Sequence, residues 1–331
     1  MLKAMAILGN GCYELIYGPS ERAEIARLVR LSDSPQTPDT IRKNFSILND
    51  VDIIFSGWGG PKMDEKFLAA APKLKIVFYG AGSVKNIVTD EFWRKGILIS
   101  SAYAANAIPV AEYTLSQILF CLKQGWHFAV STKTKKSWSQ DREHVIGAYG
   151  TTVGIISLGL IATKVIELLE PFDVNILVCS GHLTKKKAAE MNVERCSMED
   201  IFNRADVVSL HSPLSDQTRG MVTGKHFASM KPYASFINTA RGAIVRENEL
   251  IEVFRKRPDL SAVLDVTDPE PPEADSPLYT LPNIIVTPHI AGSMGQECWR
   301  LGRYMLEELR RYLNGDQLEW ELTRENTAYL A

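Results

Sequence analysis

Short apolar runs that alternate with helical patterns constrain the fold of this chain more than any other feature of its sequence. In the first hundred residues such runs lie at 4–8, 51–55, 75–79 and 96–99. Parallel strands need crossover connections, which are usually helices, so this alternation indicates α/β architecture with a parallel sheet.

A second series of the same kind begins at Thr151 and continues to His289. Helical patterns at 161–170 and 247–257, and a capping-box-like start at Ser197, separate its strands. Regular alternation of this length predicts a second doubly wound parallel sheet. The predicted strands cover 153–158, 174–179, 207–210, 235–237, 262–266 and 284–287.

Three further segments connect or follow the two series. An apolar helical face predicts a buried helix at 107–122, and an amphipathic pattern at 294–314 predicts a long helix that Asn314 and Gly315 end. The polar segment at 124–150 is expected to be a solvated loop, and its lysine-rich stretch at 132–136 indicates solubility rather than a binding site.

Length and charge limit the class of protein. A chain of 331 residues exceeds the size at which one hydrophobic core usually stops growing, so about two domains are expected. The net charge is −2, from 37 Lys and Arg against 39 Asp and Glu, which argues against a dedicated binder of nucleic acid or of membrane surfaces.

The cysteines and the apolar segments indicate a reduced, cytoplasmic protein. The chain has five cysteines, widely spaced and without a CxxC motif, so neither a disulfide framework nor a metal site is expected. The apolar run at the N-terminus is too short for a signal peptide, and no run approaches the ~20 residues that a membrane span needs.

Candidate functional residues lie just after the predicted strands, because ligands of open parallel sheets bind beyond the carboxyl ends of the strands. The glycine-rich segments 56–60 and 80–83 follow two strands of the first series. Each is equally consistent with an ordinary tight turn and with close approach of backbone amides to a ligand.

Arg241 follows the apolar run 234–237, within the sequence Asn-Thr-Ala-Arg-Gly. A guanidinium cannot lose its charge and offers a planar fork of donors, so a partly buried arginine there would bind a carboxylate or a phosphate. A salt bridge to a nearby Asp or Glu is the structural alternative.

The segment 157–162 occupies the frame of a GxGxxG dinucleotide motif, with Ser157 and Ala162 in two of its glycine positions. Gly159 still permits close backbone approach, and a helix N-terminus favours a pyrophosphate. Where an acidic residue would bind the adenosine ribose stands Ser180, followed by lysines at 185–187, so NAD and NADP remain equally open.

Glu270 and His289 each follow a predicted strand. Taken alone, the histidine would be structural and the glutamate solvated. If the fold brings them together, the carboxylate would stabilise the imidazolium and keep a proton available near neutral pH, as reduction of a carbonyl requires.

Three motifs carry a resemblance to a known family. They are Asn-Thr-Ala-Arg-Gly at 238–242, Leu-Asp-Val-x-x-x-Glu-Pro at 264–271 and Thr-Pro-His-Ile-Ala-Gly at 287–292. In order, spacing and identity they are similar to motifs of the D-isomer-specific 2-hydroxyacid dehydrogenases, and the resemblance covers nearly the whole chain.

The resemblance implies a role for each matching residue. Arg241 binds the substrate, His289 is the acid and base, and Glu270 tunes His289. The implied substrate loop comprises Ala81, Gly82 and Ser83. The implied cofactor site comprises Ser157, Gly159, Leu160, Ile161, Ser180, His211, Ser212, Pro213, Thr218, Thr239, Ala240, Asp265 and Gly292.

The resemblance also implies a domain organisation and an activity. A Rossmann domain at 106–293 would bind NAD or NADP and form a homodimer, inserted into a flavodoxin-like substrate domain made of 1–105 and 294–331. The activity would be reduction of a small 2-oxo acid to a D-2-hydroxy acid, with glyoxylate or hydroxypyruvate favoured by the motif around Glu270. The alternatives are a non-catalytic dinucleotide sensor resembling the family's corepressors, and a degenerate paralogue that binds neither dinucleotide.

The chain departs from the family pattern at four positions. Ser157 replaces a glycine, Leu160 a common arginine, Ser180 the usual aspartate, and Arg246 an aspartate. None of these changes affects the three implied catalytic residues, but the first three concern the cofactor.

Overall fold

The computed structural model describes residues 1–138 and 142–327. Its contacts divide the chain into two compact units. Of the described residues, the first unit comprises 1–106 and 293–327, and the second comprises those from 107 to 292. Residues 139–141, within the predicted loop at 124–150, lie outside the described residues.

The first unit is built on a five-stranded sheet in the order β2-β1-β3-β4-β5, with every pair parallel. Its strands are β1 (Lys3–Ala6), β2 (Arg30–Leu31), β3 (Ile53–Ser56), β4 (Ile76–Tyr79) and β5 (Leu98–Ser101). Its first helices are α1 (Cys12–Ile16), α2 (Pro19–Leu28), α3 (Pro38–Lys43), α4 (Glu65–Ala70) and α5 (Asp90–Arg94). This strand order is that of flavodoxin-like sheets.

Helix α6 (Tyr103–Leu122) leads into the second unit, whose seven-stranded sheet has the order β12-β11-β10-β9-β6-β7-β8. The strands are β6 (Thr151–Ile156), β7 (Val174–Cys179), β8 (Glu194–Arg195), β9 (Val207–Leu210), β10 (Ser235–Asn238), β11 (Ser261–Leu264) and β12 (Ile284–Val286). The helices are α7 (Gly125–Lys135), α8 (Leu160–Leu169), α9 (Lys185–Glu190), α10 (Met198–Arg204), α11 (Gly224–Ala228) and α12 (Glu247–Lys256). The chain then returns to the first unit for α13 (Glu297–Asn314) and α14 (Arg324–Thr327).

Both faces of each sheet are buried, as expected for doubly wound sheets. In β10, Phe236 packs in the hydrophobic cluster on one face and Ile237 in the cluster on the other. In β1, Ala4 and Met5 alternate in the same way. The predicted fold class, two parallel-sheet α/β domains, is therefore confirmed.

One predicted segment is wrong. Residues 125–135 of the expected solvated loop form helix α7. No residue of α7 is buried, so its sequence lacks the apolar stripe by which an amphipathic helix is recognised.

In the part of the chain that the structure describes, no helix combines the length and the apolar character needed to cross a membrane.

Candidate active site in the second unit

The three predicted catalytic residues follow three adjacent strands of the second unit. Arg241 lies after β10, Glu270 after β11 and His289 after β12. These strands are hydrogen-bonded neighbours and run parallel, so their carboxyl ends lie at one edge of the sheet. The structure therefore brings the predicted residues together at that edge.

The loop that carries Arg241 is held by Asn238, the buried last residue of β10. The Asn238 side chain accepts a hydrogen bond from the amide of Ala240 at 3.0 Å and donates one to the carbonyl of Arg241 at 3.1 Å. A Cβ atom on Gly242 would overlap the backbone carbonyl of Thr267. Only glycine therefore allows this loop to lie directly against the loop that leads to Glu270.

Among the described residues, the Arg241 guanidinium has a backbone partner but no acidic one. Its Nη1 donates to the carbonyl of Ala240 at 2.5 Å. Among residues 1–138 and 142–327, no carboxylate lies within 4.0 Å of it, so the salt bridge that was the structural alternative is absent there. Burial lowers the pKa of Arg241, and the nearby Glu270 carboxylate opposes that shift.

His289 and Glu270 form a direct pair. The distance from His289 Nδ1 to Glu270 Oε1 is 2.6 Å, and both side chains are about half exposed. Because Nδ1 contacts the carboxylate, Nε2 is the ring nitrogen available to a ligand. His289 has a φ of 55°, in the left-handed region that non-glycine residues rarely adopt, so its backbone conformation must be held by the surrounding structure.

The buried carboxylate of Asp265 supplies that support. It accepts hydrogen bonds from the Thr287 hydroxyl at 2.6 Å and from the amides of Ile290 and Ala291, each at 2.9 Å. The amide of His289 also donates to the Asp265 carbonyl at 3.0 Å. Sequence reasoning assigned Asp265 only to the cofactor site. Its contacts show that it holds the turn that carries His289.

The segment between β6 and α8 is shaped for close approach of a ligand. Gly159 is the N-cap of α8 and makes no side-chain capping bond, and a Cβ atom built on it would meet nothing within 4 Å. Open space beside uncapped helix amides fits the pyrophosphate of a dinucleotide. Leu160 and Ile161 begin the helix, and Ser157 has a φ of 74°, a conformation that glycine adopts more readily.

The end of β7 carries no acidic side chain. Ser180 Oγ accepts a weak hydrogen bond from the amide of His182 at 3.4 Å. The exposed lysines at 185–187 form the first turn of α9. The structure therefore leaves the choice between NAD and NADP open.

The loop after β9 contains the next group of predicted cofactor residues. His211 Nε2 lies 2.9 Å from Ser209 Oγ, and burial lowers the pKa of His211 to about 4, so its ring is neutral at pH 7. Ser212 is buried, and Thr218 closes the loop by donating to the carbonyl of Pro213 at 2.6 Å.

The remaining predicted cofactor residues lie in the loops that carry the predicted catalytic residues. Thr239 and Ala240 precede Arg241, and the Thr239 hydroxyl lies 3.2 Å from the Thr114 hydroxyl of α6. Gly292 ends the second unit, just after the turn held by Asp265.

The predicted substrate loop, Ala81 to Ser83, follows β4 and belongs to the first unit. The Ala81 amide already donates to the carbonyl of Tyr79 at 2.8 Å, so Ala81 has no free amide to offer. A Cβ atom on Gly82 would contact only Asn106, at 4.0 Å, which leaves this position open.

Two other glycines of the first unit serve packing instead. Cβ atoms on Gly57 and Gly80 would both crowd the side chain of Ile16. No cluster of three metal-binding side chains is present within 1–138 and 142–327.

Comparison with known proteins identifies the family of the second unit. Residues 115–291 match the family model described as D-isomer specific 2-hydroxyacid dehydrogenase, NAD binding domain. The chain belongs to this dehydrogenase family. The predicted resemblance is therefore confirmed.

Individual relatives support the assignment. The D-3-phosphoglycerate dehydrogenase of Methanocaldococcus jannaschii is 32% identical over 273 residues, which are 82% of this chain and 52% of that protein. The chain thus spans about half the length of the phosphoglycerate dehydrogenases that it matches. The (S)-sulfolactate dehydrogenase of Chromohalobacter salexigens is 33% identical over 76% of this chain and 82% of its own.

The fold is also that of solved structures. The NAD-complexed D-isomer specific 2-hydroxyacid dehydrogenase of Lactobacillus delbrueckii ssp. bulgaricus aligns with a TM-score of 0.78, covering 97% of this chain and 100% of that one. At 20% sequence identity this likeness concerns the fold alone.

The open space at Gly159 predicts a selective loss of dinucleotide binding in Gly159→Ser. The serine would cap α8 at least as well as glycine, but its side chain would occupy the open space and compete for the helix amides. We expect the Kd for NADH or NADPH to rise about tenfold, while the thermal unfolding midpoint without cofactor stays the same. Fluorescence titration and thermal denaturation measure the two quantities, and unchanged dinucleotide affinity would show that Gly159 does not face the cofactor.

Proposed function

We propose that this chain is an NAD(P)-dependent dehydrogenase that reduces a small 2-oxo acid to a D-2-hydroxy acid. The observation that carries the proposal is the guanidinium of Arg241, which has no carboxylate partner among the described residues and lies near the His289–Glu270 pair. An unpaired cation beside a proton donor suits a ligand that has a carboxylate next to a carbonyl.

Each of the three residues then has a separate task. Arg241 binds the substrate carboxylate through its planar fork and so orients the adjacent carbonyl. His289 holds a proton at Nε2 and donates it to the carbonyl oxygen, while Glu270 stabilises the imidazolium through Nδ1. The reduced nicotinamide, when bound, supplies the hydride.

The residues proposed to hold the dinucleotide lie along the carboxyl edge of the second sheet. Gly159 and the first turn of α8 would bind the pyrophosphate. Ser180 would lie at the adenosine ribose, where no carboxylate repels a 2′-phosphate and the lysines at 185–187 follow closely. We therefore propose that both NADH and NADPH are accepted.

The substrate proposed is glyoxylate, hydroxypyruvate or another small 2-oxo acid, because the motif around Glu270 resembles that branch of the family. The two curated relatives are named for phosphoglycerate and sulfolactate, which are acids with a second anionic group. The keto acids that correspond to them belong in any substrate test.

A non-catalytic dinucleotide sensor is the second candidate function. The observation that favours it is Ser157, which replaces a motif glycine and retains the left-handed backbone conformation that suits glycine. A sensor would bind dinucleotide tightly without turning over any 2-oxo acid.

A steady-state panel tests the proposed activity. It crosses NADH and NADPH with glyoxylate, hydroxypyruvate, pyruvate, phenylpyruvate, 3-phosphohydroxypyruvate and sulfopyruvate. We expect cofactor oxidation with at least one acid, and a loss of kcat of about 10²–10⁴-fold in His289→Gln with dinucleotide affinity unchanged. Tight dinucleotide binding without any oxidation would favour the sensor, and absence of both would indicate a degenerate paralogue.

Arg241→Lys separates substrate binding from cofactor binding. Lysine keeps the charge but loses the bidentate fork, so kcat/KM for the 2-oxo acid should fall about 100-fold while the KM for the dinucleotide stays within about twofold. Arg246→Lys is the matched control, because Arg246 is exposed and bonds the carbonyl of Gly220 and the carboxylate of Glu249. If Arg241→Lys weakened the use of the 2-oxo acid and the binding of the dinucleotide equally, the role of Arg241 would be structural.

We also propose that the second unit forms a homodimer. Large apolar side chains are exposed in the segment 124–150, which contains α7, and α7 itself buries no residue. Trp138 is 77% exposed and Tyr149 is 84% exposed. Large apolar side chains left this exposed are available for contact with a second copy of the chain.

Sedimentation velocity tests the dimer. At micromolar concentration we expect twice the chain mass for the wild type, and a shift towards the monomer when Trp138 and Tyr149 are both changed to Asp. Lys62→Asp, on the exposed surface of the first unit, is the control. A wild-type monomer under these conditions would contradict the proposal.

A further inference from the structure

Two consecutive residues of α6 contact two different loops of the candidate active site. The Tyr113 hydroxyl lies 3.0 Å from the Thr287 hydroxyl, which belongs to the turn that carries His289. The Thr114 hydroxyl lies 3.2 Å from the Thr239 hydroxyl, in the loop that carries Arg241. All of these residues belong to the second unit.

The direction of the first contact follows from hydrogen-bond chemistry. Asp265 Oδ1 is an acceptor, since it also takes the hydrogen of the Ile290 amide, and the Thr287 hydroxyl donates its single hydrogen to the same oxygen, 2.6 Å away. Thr287 then has only lone pairs left for Tyr113, and Tyr113 must be the donor. Burial raises the pKa of the Tyr113 phenol and the Asp265 charge raises it further, so the phenol keeps the proton that it donates to Thr287.

The hydrogen bonds therefore form a chain of fixed polarity. It runs from Tyr113 through Thr287 to Asp265, and the Asp265 carboxylate also accepts from the amides of Ile290 and Ala291. These amides belong to the two residues that follow His289, whose left-handed backbone conformation requires support from the surrounding structure. Without the Thr287 hydroxyl, the carboxylate would keep two of its three donors and would be freer to rotate.

We propose that Tyr113 is a positioning residue, which acts through Thr287 and Asp265 to hold the turn that presents His289 to the substrate. This inference rests on the proposed function only in taking His289 as the proton donor. Tyr113 itself contacts no reacting group in the proposal. Its contribution is to restrict the direction of the Asp265 carboxylate, and hence the geometry of the imidazole.

Amide exchange tests the positioning directly and needs no turnover. The backbone amides of Ile290 and Ala291 are protected by Asp265, so their exchange rates report how firmly the turn is held. We expect these rates to rise about fivefold in Thr287→Val and by a smaller factor in Tyr113→Phe, as loss of one hydrogen bond implies. Thr287→Ser restores the hydroxyl and should exchange like the wild type.

Thr114→Val is the matched control, because it removes a hydroxyl from the same helix and from the adjacent residue. Its contact is with Thr239, so the amides of Ile290 and Ala291 should exchange at wild-type rates. The double variant Tyr113→Phe with Thr287→Val should behave like Thr287→Val alone, since Tyr113 acts through Thr287.

Steady-state kinetics supply the functional readout. In Tyr113→Phe and Thr287→Val we expect kcat to fall about three- to tenfold with KM for the 2-oxo acid and the dinucleotide little changed, because the proton donor is misplaced while binding groups are not. Thr287→Ser should recover kcat.

Failure of the positioning role of Tyr113 and failure of the proposed function give different results. Unchanged exchange at Ile290 and Ala291 in Tyr113→Phe, or an equal rise in Thr114→Val, would overturn the positioning role of Tyr113, and so would raised exchange with unchanged kcat in an active enzyme. If the wild type reduces no 2-oxo acid, the proposed function fails, and the exchange rates alone still decide whether Tyr113 holds the turn.

Discussion

The candidate active site depends on one buried carboxylate. Asp265 lies just beyond β11 and is 1% exposed, yet its oxygens are satisfied by one hydroxyl and two amides of the next loop. Burying a charge is costly unless hydrogen bonds compensate for the lost hydration, and here the compensating donors all come from the turn around His289. The same contacts that make this burial tolerable therefore also fix the position of the proposed proton donor.

Much of the fold could be predicted from the sequence. The strands of the second sheet that form long apolar runs were placed within two residues of their observed ends, because burial on both faces leaves an uninterrupted apolar signal. Strands β2 and β8 were missed, since two residues at a sheet edge make no such run. Helix α7 was missed because all of its residues are at least partly exposed, so its sequence has no apolar stripe to detect.

The site was predicted less completely than the fold. The residues Arg241, Glu270 and His289 could be named from their motifs, and parallel strand ends explain why they lie at one edge. Whether Arg241 had an internal salt bridge could not be decided, because that depends on which carboxylates the tertiary structure brings near it. The support given by Asp265, Thr287 and Tyr113 could not be predicted either, since it joins α6 to the loops after β11 and β12, which are far apart in sequence. The assignments of individual cofactor and substrate residues stay predictions.

The absence of a side chain at Gly242 has a consequence for selectivity among substrates. Because its backbone lies directly against that of Thr267, the loops leading to Arg241 and Glu270 pack against each other there with no side chain between them. A larger residue at Gly242 would therefore move the loop of Arg241 away from the loop of Glu270 and break the contact. In the proposed function this contact sets the spacing between the groups that bind the substrate carboxylate and carbonyl, so variants that accept larger acids would have to make room for the rest of the molecule elsewhere.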